Sequence, residues 1–310
     1  MNTPNGGNAL EDFQACQRHY MYGYQLIHPE ELKKKALDPS YDPSRGIEST
    51  TKAYPLAIGT AFHAACEKYE ETSDPDDMFR GFEAAWEGEK ARFPNLEDYD
   101  EDALILGRKI VLAYLTEFRG STLEQVATEK EFELPLVDPT DGTTWLYSGK
   151  IDRIVRFSGV MCVLERKSTS STPAQFFPHF TLDRKMTGYI WASRILYPEY
   201  KPSAFVLEVL GKPKGKTGDG WARRELFMRS EAQIREWIDE TCSILRAIRR
   251  ASNGEEPWLR STAWCENWSG YHKPCRYKHL CMAGPGANVT EMIEAGYLPK
   301  KWKEEEASGE

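Results

Sequence analysis

Apolar positions recur at helical spacing early in the chain and at alternating spacing later. Residues 9–28 read as one helix carrying Cys16 and an aromatic stripe of Tyr20, Tyr22 and Tyr24. Residues 29–54 are polar and hold several prolines, so they predict a loop. "LAIGTAFHAACEKYEE" (56–71), 76–92 and 101–119 predict helices. Strands follow: "LEQVATEKEFELPL" (123–136), "TTWLYSGKIDRIVRF" (143–157) and "GVMCVLERKST" (159–169), the first two separated by the turn-rich "VDPTDG". "DRKMTGYIWASRILYP" (183–198) predicts a helix with Asp183 as its N-cap. "SAFVLEVLG" and "WARRELFMR" give two more strands. The amphipathic helix "SEAQIREWIDETCSILRAIRRA" turns Ile234, Trp237, Ile238, Cys242, Ile244, Leu245 and Ile248 inward. The chain beyond 253 is rich in Trp and Cys, and no internal repeat is visible.

Composition narrows the class. With 310 residues, 40% hydrophobic and 28% charged, the chain buries a real core. No apolar run approaches the roughly 20 residues of a membrane helix. The polar "MNTPNGGNAL" start carries no signal-peptide apolar region, so a cytosolic protein with no membrane partner is expected. A net charge of −8 argues against loose polyanion binding but leaves room for a local basic groove. The acidic "KEEEASGE" end reads as a solvated tail. Seven cysteines, an odd set, suit reduced thiols or a metal site better than a disulfide framework. Cys66, Cys162 and Cys242 fall on apolar positions and read as core.

Charges interrupt the apolar strands of the hairpin "SGKIDRIVRFSGVMCVLERKST". A two-residue turn at Ser158 and Gly159 pairs Phe157 with Val160, Ile154 with Val163, and Asp152 with Glu165. Opposite residues share a face, with Cβ atoms about 4.5–5.5 Å apart. Lys167 lies on that face too, with Lys150 opposite it. Two facing carboxylates repel, so they need neutralising. Lys167 and Lys150 offer a salt-bridge ladder; a Mg²⁺ or Mn²⁺ ion offers a stronger field for hard oxygen ligands.

The pattern "GKIDRI…VLERKST" resembles the D-(x)n-E-x-K core of the PD-(D/E)XK nuclease superfamily. More narrowly it is similar to the RecB-type branch, with the AddB nuclease domains and the CRISPR-associated and phage RecB-like exonucleases. "GTAFHAACEKYEE" resembles that family's histidine-bearing helix, with His63 in the metal-binding position and Glu67 one turn on, able to orient the imidazole. A capped or partly buried helix histidine is the plainer reading. "DRKMTGYIWAS" resembles the family's Q-x-x-x-Y helix, with Tyr189 as the tyrosine and Lys185 standing where glutamine is expected; core packing is the plainer reading of Tyr189. One early cysteine, Cys16, and three late ones, Cys265, Cys275 and Cys281, resemble the branch's [4Fe–4S] staple. The long gap between Cys265 and Cys275 keeps structural zinc open, with Cys₄ ligation or with His272 or His279 substituting, and four unconnected thiols are the plainer reading.

The resemblance implies an α/β, restriction-endonuclease-like fold: a central mixed sheet flanked by helices, a helical insertion, and termini joined by a cysteine-bound cluster. It implies one nuclease domain over 1–310, with a helical block at 72–120, core sheet and helices at 121–251, a cysteine segment at 253–290 packing with the first helix, and a solvated tail at 303–310. Asp152, Glu165, His63 and the Arg166 carbonyl would hold Mg²⁺ or Mn²⁺. Lys167 would position water, and Tyr189 the substrate strand. The implied partner is DNA, as single strands or duplex ends. No helicase motif is visible, so unwinding would belong to a helicase or recombination partner. The sequence leaves cleavage polarity and oligomeric state open.

Lys150, Lys185, Lys212, Lys214 and Lys216 are candidate DNA contacts, the last three within "GKPKGKTGDG". That stretch mimics a P-loop but is one residue short and precedes a strand, so it reads as a hairpin loop with solvated lysines the simpler alternative. Tyr20, Tyr22 and Tyr24 would either stack on bases or pack in a core. Two rivals to catalysis remain: a non-catalytic nucleic-acid-binding or assembly module on the same fold, and a structural zinc protein with a surface charge ladder.

Overall fold

Local sequence signals set most of the elements seen in the structure, a computed structural model describing residues 6–93, 95–97, 103–120, 123–212, 221–266, 274–283 and 287–300. The chain runs through α1 (Gly7–Ala15), α2 (Gln17–Tyr20), a π-type turn (Met21–Gln25), α3 (Pro29–Leu37), β1 (Ile47–Ser49) and β2 (Thr51–Ala53). Next come α4 (Tyr54–Thr72), α5 (Pro75–Arg92), β3 (Asn95–Glu97) and α6 (Ala103–Phe118). Then follow β4 (Glu124–Val137), β5 (Thr144–Phe157), β6 (Val160–Thr169), α7 (Pro173–Phe176), a 3₁₀ turn (Phe177–Phe180) and α8 (Arg184–Leu196). The chain continues with β7 (Ala204–Gly211), β8 (Trp221–Met228), α9 (Glu231–Ser252), α10 (Thr262–Cys265), α11 (Lys278–Met282), α12 (Val289–Gly296) and β9 (Tyr297–Pro299). No described helix is long and apolar enough to cross a membrane.

Five strands form a mixed sheet in the order β4-β5-β6-β7-β8. β5 and β6 are antiparallel, β6 and β7 parallel, β7 and β8 antiparallel. This is the mixed sheet flanked by helices that the sequence led us to expect. The hairpin turn is as anticipated: Ser158 (φ 49°) and Gly159 (φ 79°) are both left-handed. That geometry matches the twist of the flanking strands, and Gly159 adopts it without strain. The expected register holds from Phe157↔Val160 through Ile154↔Val163 to Arg153↔Leu164. Asp183 caps α8, accepting from the Met186 amide at 2.8 Å. β7 and β8 pair antiparallel, with Gly211 opposite Trp221, while residues 213–220 of "GKPKGKTGDG" lie outside the described residues. Lys214, Lys216, His272 and the acidic tail lie outside the described residues.

Two expectations need correction. The helix over 9–28 is broken at Cys16, whose extended backbone (φ −162°, ψ 112°) ends α1 and begins α2. There the thiol accepts from the Ser261 amide at 3.5 Å, so a distant contact sets the local backbone. The loop over 29–54 contains α3, opened by Pro29 in its first turn and by His28 Nδ1, which accepts from the Glu30 amide at 3.2 Å. This helix has no apolar stripe. It buries Glu31, which binds Lys34, the Tyr41 hydroxyl and the Ser44 amide.

The chain forms two compact units: residues 1–50, 133–149 and 238–310, and residues 51–132 and 150–237. In the first, Tyr22, Ile47, Cys275, Tyr277, Leu280, Ile293 and Tyr297 make a core. Tyr20, Tyr22 and Tyr24 are all buried, and Tyr20 stacks on Tyr24 and Trp258 at 5.1 and 6.0 Å. Packing, not presentation to bases, is their role. The Gln17 side chain accepts from the Leu259 amide, and the Arg18 amide donates to the Leu259 carbonyl, so the first helices dock on the chain after 253.

In the second unit, α4, α5 and α6 bury Ile58, Phe62, Phe82, Trp86 and Val111 against one another. Every residue of β7 is buried, as a central strand requires. One of them is charged. Register puts Arg166, Glu208 and Arg224 side by side across β6, β7 and β8. Glu208, fully buried, accepts from Arg166 Nε at 3.0 Å and from Arg224 Nε at 2.6 Å. Arg166 also binds Glu70 of α4, and Glu70 takes Arg153 at 3.1 Å. Removing one partner of such a group leaves a charge buried without compensation, at about 3–5 kcal/mol. Glu208→Ala should lose about that much in chemical denaturation; a change of less than about 1 kcal/mol would mean the row carries no stability.

Candidate active site

Alternation along β6 puts Glu165 and Lys167 on one face and Arg166 on the other. Glu165 is buried and Lys167 half-buried. The Lys167 ammonium binds Glu165 Oε1, and Lys185 Nζ of α8 reaches the same oxygen at 3.1 Å. Asp152 of β5 accepts from the Arg166 amide at 3.2 Å, through the same Oδ2 that lies 3.8 Å from His63 Nδ1 of α4. The fold therefore gathers His63, Asp152, Glu165, Lys167 and Lys185 around one stretch of β6. Glu67 and Lys150 lie 3.7 Å apart, a more exposed pair. Tyr189 is 6% exposed, meets Phe132 edge-on at 6.0 Å and carries Lys185 Nζ 5.2 Å above its ring. Lys212 is half-buried, and its amide donates to the Thr169 carbonyl at 2.7 Å.

The electrostatics split the two acids. Burial, followed by the nearby Glu165 charge, pushes the Asp152 carboxyl up to about 7. Burial also opposes ionisation of Glu165, but Lys167 and Lys185 outweigh it and hold that carboxyl below the usual range. Burial and then Lys167 lower the His63 imidazole to about 4. A neutral imidazole, two carboxylates and a nearby main-chain carbonyl are a donor set that fits a hard or borderline divalent cation. Among the described residues no three His, Cys, Asp or Glu side chains are closed into a metal-holding group. Glu165 instead faces two ammonium groups.

The second cluster lies in the other unit. All seven cysteines are free thiols. Cys275 donates its amide to the Cys265 carbonyl at 2.8 Å, and Cys265 Sγ donates to the Ser261 carbonyl at 3.2 Å. Ser261 in turn donates its amide to Cys16. Burial pushes Cys275 up to about 12, and the thiols of Cys16, Cys281 and Cys265 push the same way. Cys281 is raised by burial, while a hydrogen bond from Arg18 opposes the shift. His19 Nδ1 lies 3.2 Å from Cys275 Sγ. Four thiols that feel one another, with Arg18 and His19 beside them, suit a thiolate-bound metal or cluster. Cys66, Cys162 and Cys242 are buried in apolar surroundings, as expected of core residues.

Sequence reasoning missed several partners: the Arg166 anchors Glu70 and Glu208, Arg153 as the second partner of Glu70, the Lys185–Glu165 contact, and Arg18 and His19 at the thiols. A signal existed for three of these residues. Arg18 and His19 follow Cys16 within one helical turn, and Glu208 is the sole charge inside "AFVLEVLG".

The PD-(D/E)XK nuclease superfamily model matches residues 8–282. No curated protein matches. Among solved structures, SSO0001 is 15% identical with a TM-score of 0.32, covering 83% of this chain and 95% of its own. A proposed exonuclease from Eubacterium rectale is 15% identical with a TM-score of 0.44, over 94% of this chain and 92% of its own. LHK-Exo in complex with dAMP is 11% identical with a TM-score of 0.26, over 65% of this chain and 94% of its own.

One pH dependence follows from the cluster. In the cation-free fold Asp152 keeps its proton where the unfolded chain has lost it. The folded state then binds more protons, so stability falls as pH rises from 3.8 toward about 7. Asp152→Asn removes that loss. With a chelator present, its thermal midpoint should exceed that of the wild type by a margin that grows across this window and levels off above it. A margin independent of pH would detach Asp152 from the electrostatic cluster.

Proposed function

We propose that this chain, which belongs to the PD-(D/E)XK nuclease superfamily, is a metal-dependent deoxyribonuclease acting as an exonuclease of the RecB-like branch in DNA processing or recombination. The observation that carries this reading is the meeting of His63, Asp152, Glu165 and Lys167 around β6. A plain surface salt-bridge ladder would not need a buried glutamate. A non-catalytic module would have no use for the complete set.

His63, Asp152, Glu165 and the Arg166 carbonyl would hold one or two Mg²⁺ or Mn²⁺ ions, which supply polarisation of the phosphodiester and a lower pKa for attacking water. The remaining work belongs to the chain. Lys167 orients the water and offsets the charge that grows on the phosphoryl oxygens. The Arg166 amide fixes the Asp152 carboxylate, and the Arg166 side chain, tied to Glu70 and Glu208, keeps that amide still. Tyr189 lines the substrate strand. Lys150 and Lys212 are candidate phosphate contacts beyond the reacting group.

Cys16, Cys265, Cys275 and Cys281 would hold a [4Fe–4S] cluster that staples the first helices to the C-terminal segment. What supports this is that the four thiols fall in one compact unit, with the amide of Ser261, four residues before Cys265, donating to Cys16 and the Cys275 amide donating to the Cys265 carbonyl. Binding free energy at such a site becomes folding free energy.

On labelled DNA with Mg²⁺ or Mn²⁺, Glu165→Ala and Lys167→Ala should each lower turnover by about 10²-fold or more. Wild-type turnover in either variant, or cleavage in a chelator, would overturn the assignment. Protein purified without oxygen should be brown, with about four irons per chain. Cys16→Ala or Cys275→Ala should remove the colour and lower the melting temperature, while Cys66→Ala keeps the colour. Colourless protein with stoichiometric zinc would transfer the staple to a zinc site, and metal-free protein of full stability would remove it.

A further inference from the structure

Two lysines on one carboxylate oxygen are more than that carboxylate needs. Lys167 and Lys185 both bind Glu165 Oε1, so two ammonium groups face one carboxylate oxygen of an acid assigned above to cation binding. A divalent cation cannot share that oxygen with two ammonium groups at no cost, because like charges a few ångströms apart in a poorly hydrated site repel strongly. One lysine has to give way. Lys167 is two residues along the same strand, and its charge is assigned above to the attacking water. Lys185 comes from a separate element, α8, and has a second partner where it already lies. While 3.1 Å from Glu165 Oε1 its ammonium is also 5.2 Å over the Tyr189 ring, which meets Phe132 edge-on. Asp183, the cap of the same helix, adds to the negative field there. An ammonium over an aromatic face keeps a favourable partner after losing a carboxylate.

We propose that Lys185 is an exchangeable internal counter-ion. It occupies Glu165 when the site holds no cation. When a cation takes Glu165, it gives up that oxygen, keeps the Tyr189 face and presents its charge to a substrate phosphate. This assignment rests on the cation-binding reading of the site and goes beyond it by coupling cation and nucleotide binding. Cation loading releases a lysine for phosphate, and phosphate holds that lysine away from Glu165. The coupling is reciprocal, as linkage requires. Lys185 is a positioning residue on this account, and its effect shows in binding without turnover.

The test measures Mn²⁺ affinity by paramagnetic resonance titration, with and without dAMP, a product-like probe with no internucleotide bond to cleave. In the wild type, dAMP should tighten Mn²⁺ binding by about fivefold or more. Lys185→Met removes the competing charge, so Mn²⁺ alone should bind about tenfold tighter and the effect of dAMP should vanish. Lys185→Gln, closer in polarity, should behave the same way and guards against a packing defect in the methionine variant. Unchanged Mn²⁺ affinity in both variants, or undiminished coupling, overturns the proposal. Glu165→Ala separates it from the reading beneath it: if that variant binds Mn²⁺ as the wild type does, the cation site itself is misassigned, whatever Lys185 does.

Discussion

The buried guanidinium of Arg166 is the constraint from which the candidate site is built. Its side chain is tied to Glu208 in the neighbouring strand and to Glu70 in α4, while its amide holds Asp152. Burying a guanidinium is costly unless nearly all its donors are matched, and here two glutamates share the task, with the Tyr114 hydroxyl 3.4 Å away. Such a group has one good arrangement. A slip of one residue in β6 would turn Arg166 to the other face and strand its charge. The same slip would carry Glu165 and Lys167 away from Asp152 and His63. A hydrophobic residue at 166 would tolerate more slack in that register.

β6 thus separates two charge systems. On one side, the Arg166–Glu208–Arg224 row is closed, with every carboxylate matched by guanidinium groups in fixed geometry. On the other, Asp152 and Glu165 are pushed in opposite directions, and the lysines that neutralise Glu165 come from flexible side chains. Arginine suits the first role because its planar fork binds carboxylates from fixed directions. Lysine suits the second, because a point charge on a long stem can change partners. The rigid row lets the opposite face stay adjustable without loss of register.

The cysteine cluster answers a different problem in the other unit. Among the described residues after 253 the helices are short, α10 and α11 spanning four and five residues, and such helices have little stability of their own. What ties this segment to the first helices is a set of polar contacts around Gln17, Arg18 and the four thiols, together with the tyrosine core. A group that binds all four sulfurs would turn this weakly propagating segment into part of a cooperative fold.

Much of this was legible in the sequence. The strand and helix periods, the Ser158-Gly159 turn, the Asp183 cap and the core cysteines all rest on local rules, in which a few neighbouring residues decide the outcome. Counting back from that turn gave the register that is seen as far as Arg153↔Leu164, one step short of Asp152 and Glu165. The break at Cys16 was not legible, because the thiol meets Ser261 far along the chain; the helix α3 was missed because it has no apolar stripe, and its signals were the local ones at His28 and Pro29 and the buried Glu31 held by Lys34, Tyr41 and Ser44. The second lysine on Glu165 was equally hidden. Position 185 stood out in the sequence only as a lysine where the resemblance expects glutamine and as a candidate DNA contact; its contact with Glu165 comes from α8 packing beside β6. The sequence by itself therefore determined which residues could carry the chemistry and on which elements they sit. Only the tertiary structure decided which charges meet, because burial and distance set the strength of an ionic contact, and neither is a property of neighbouring residues.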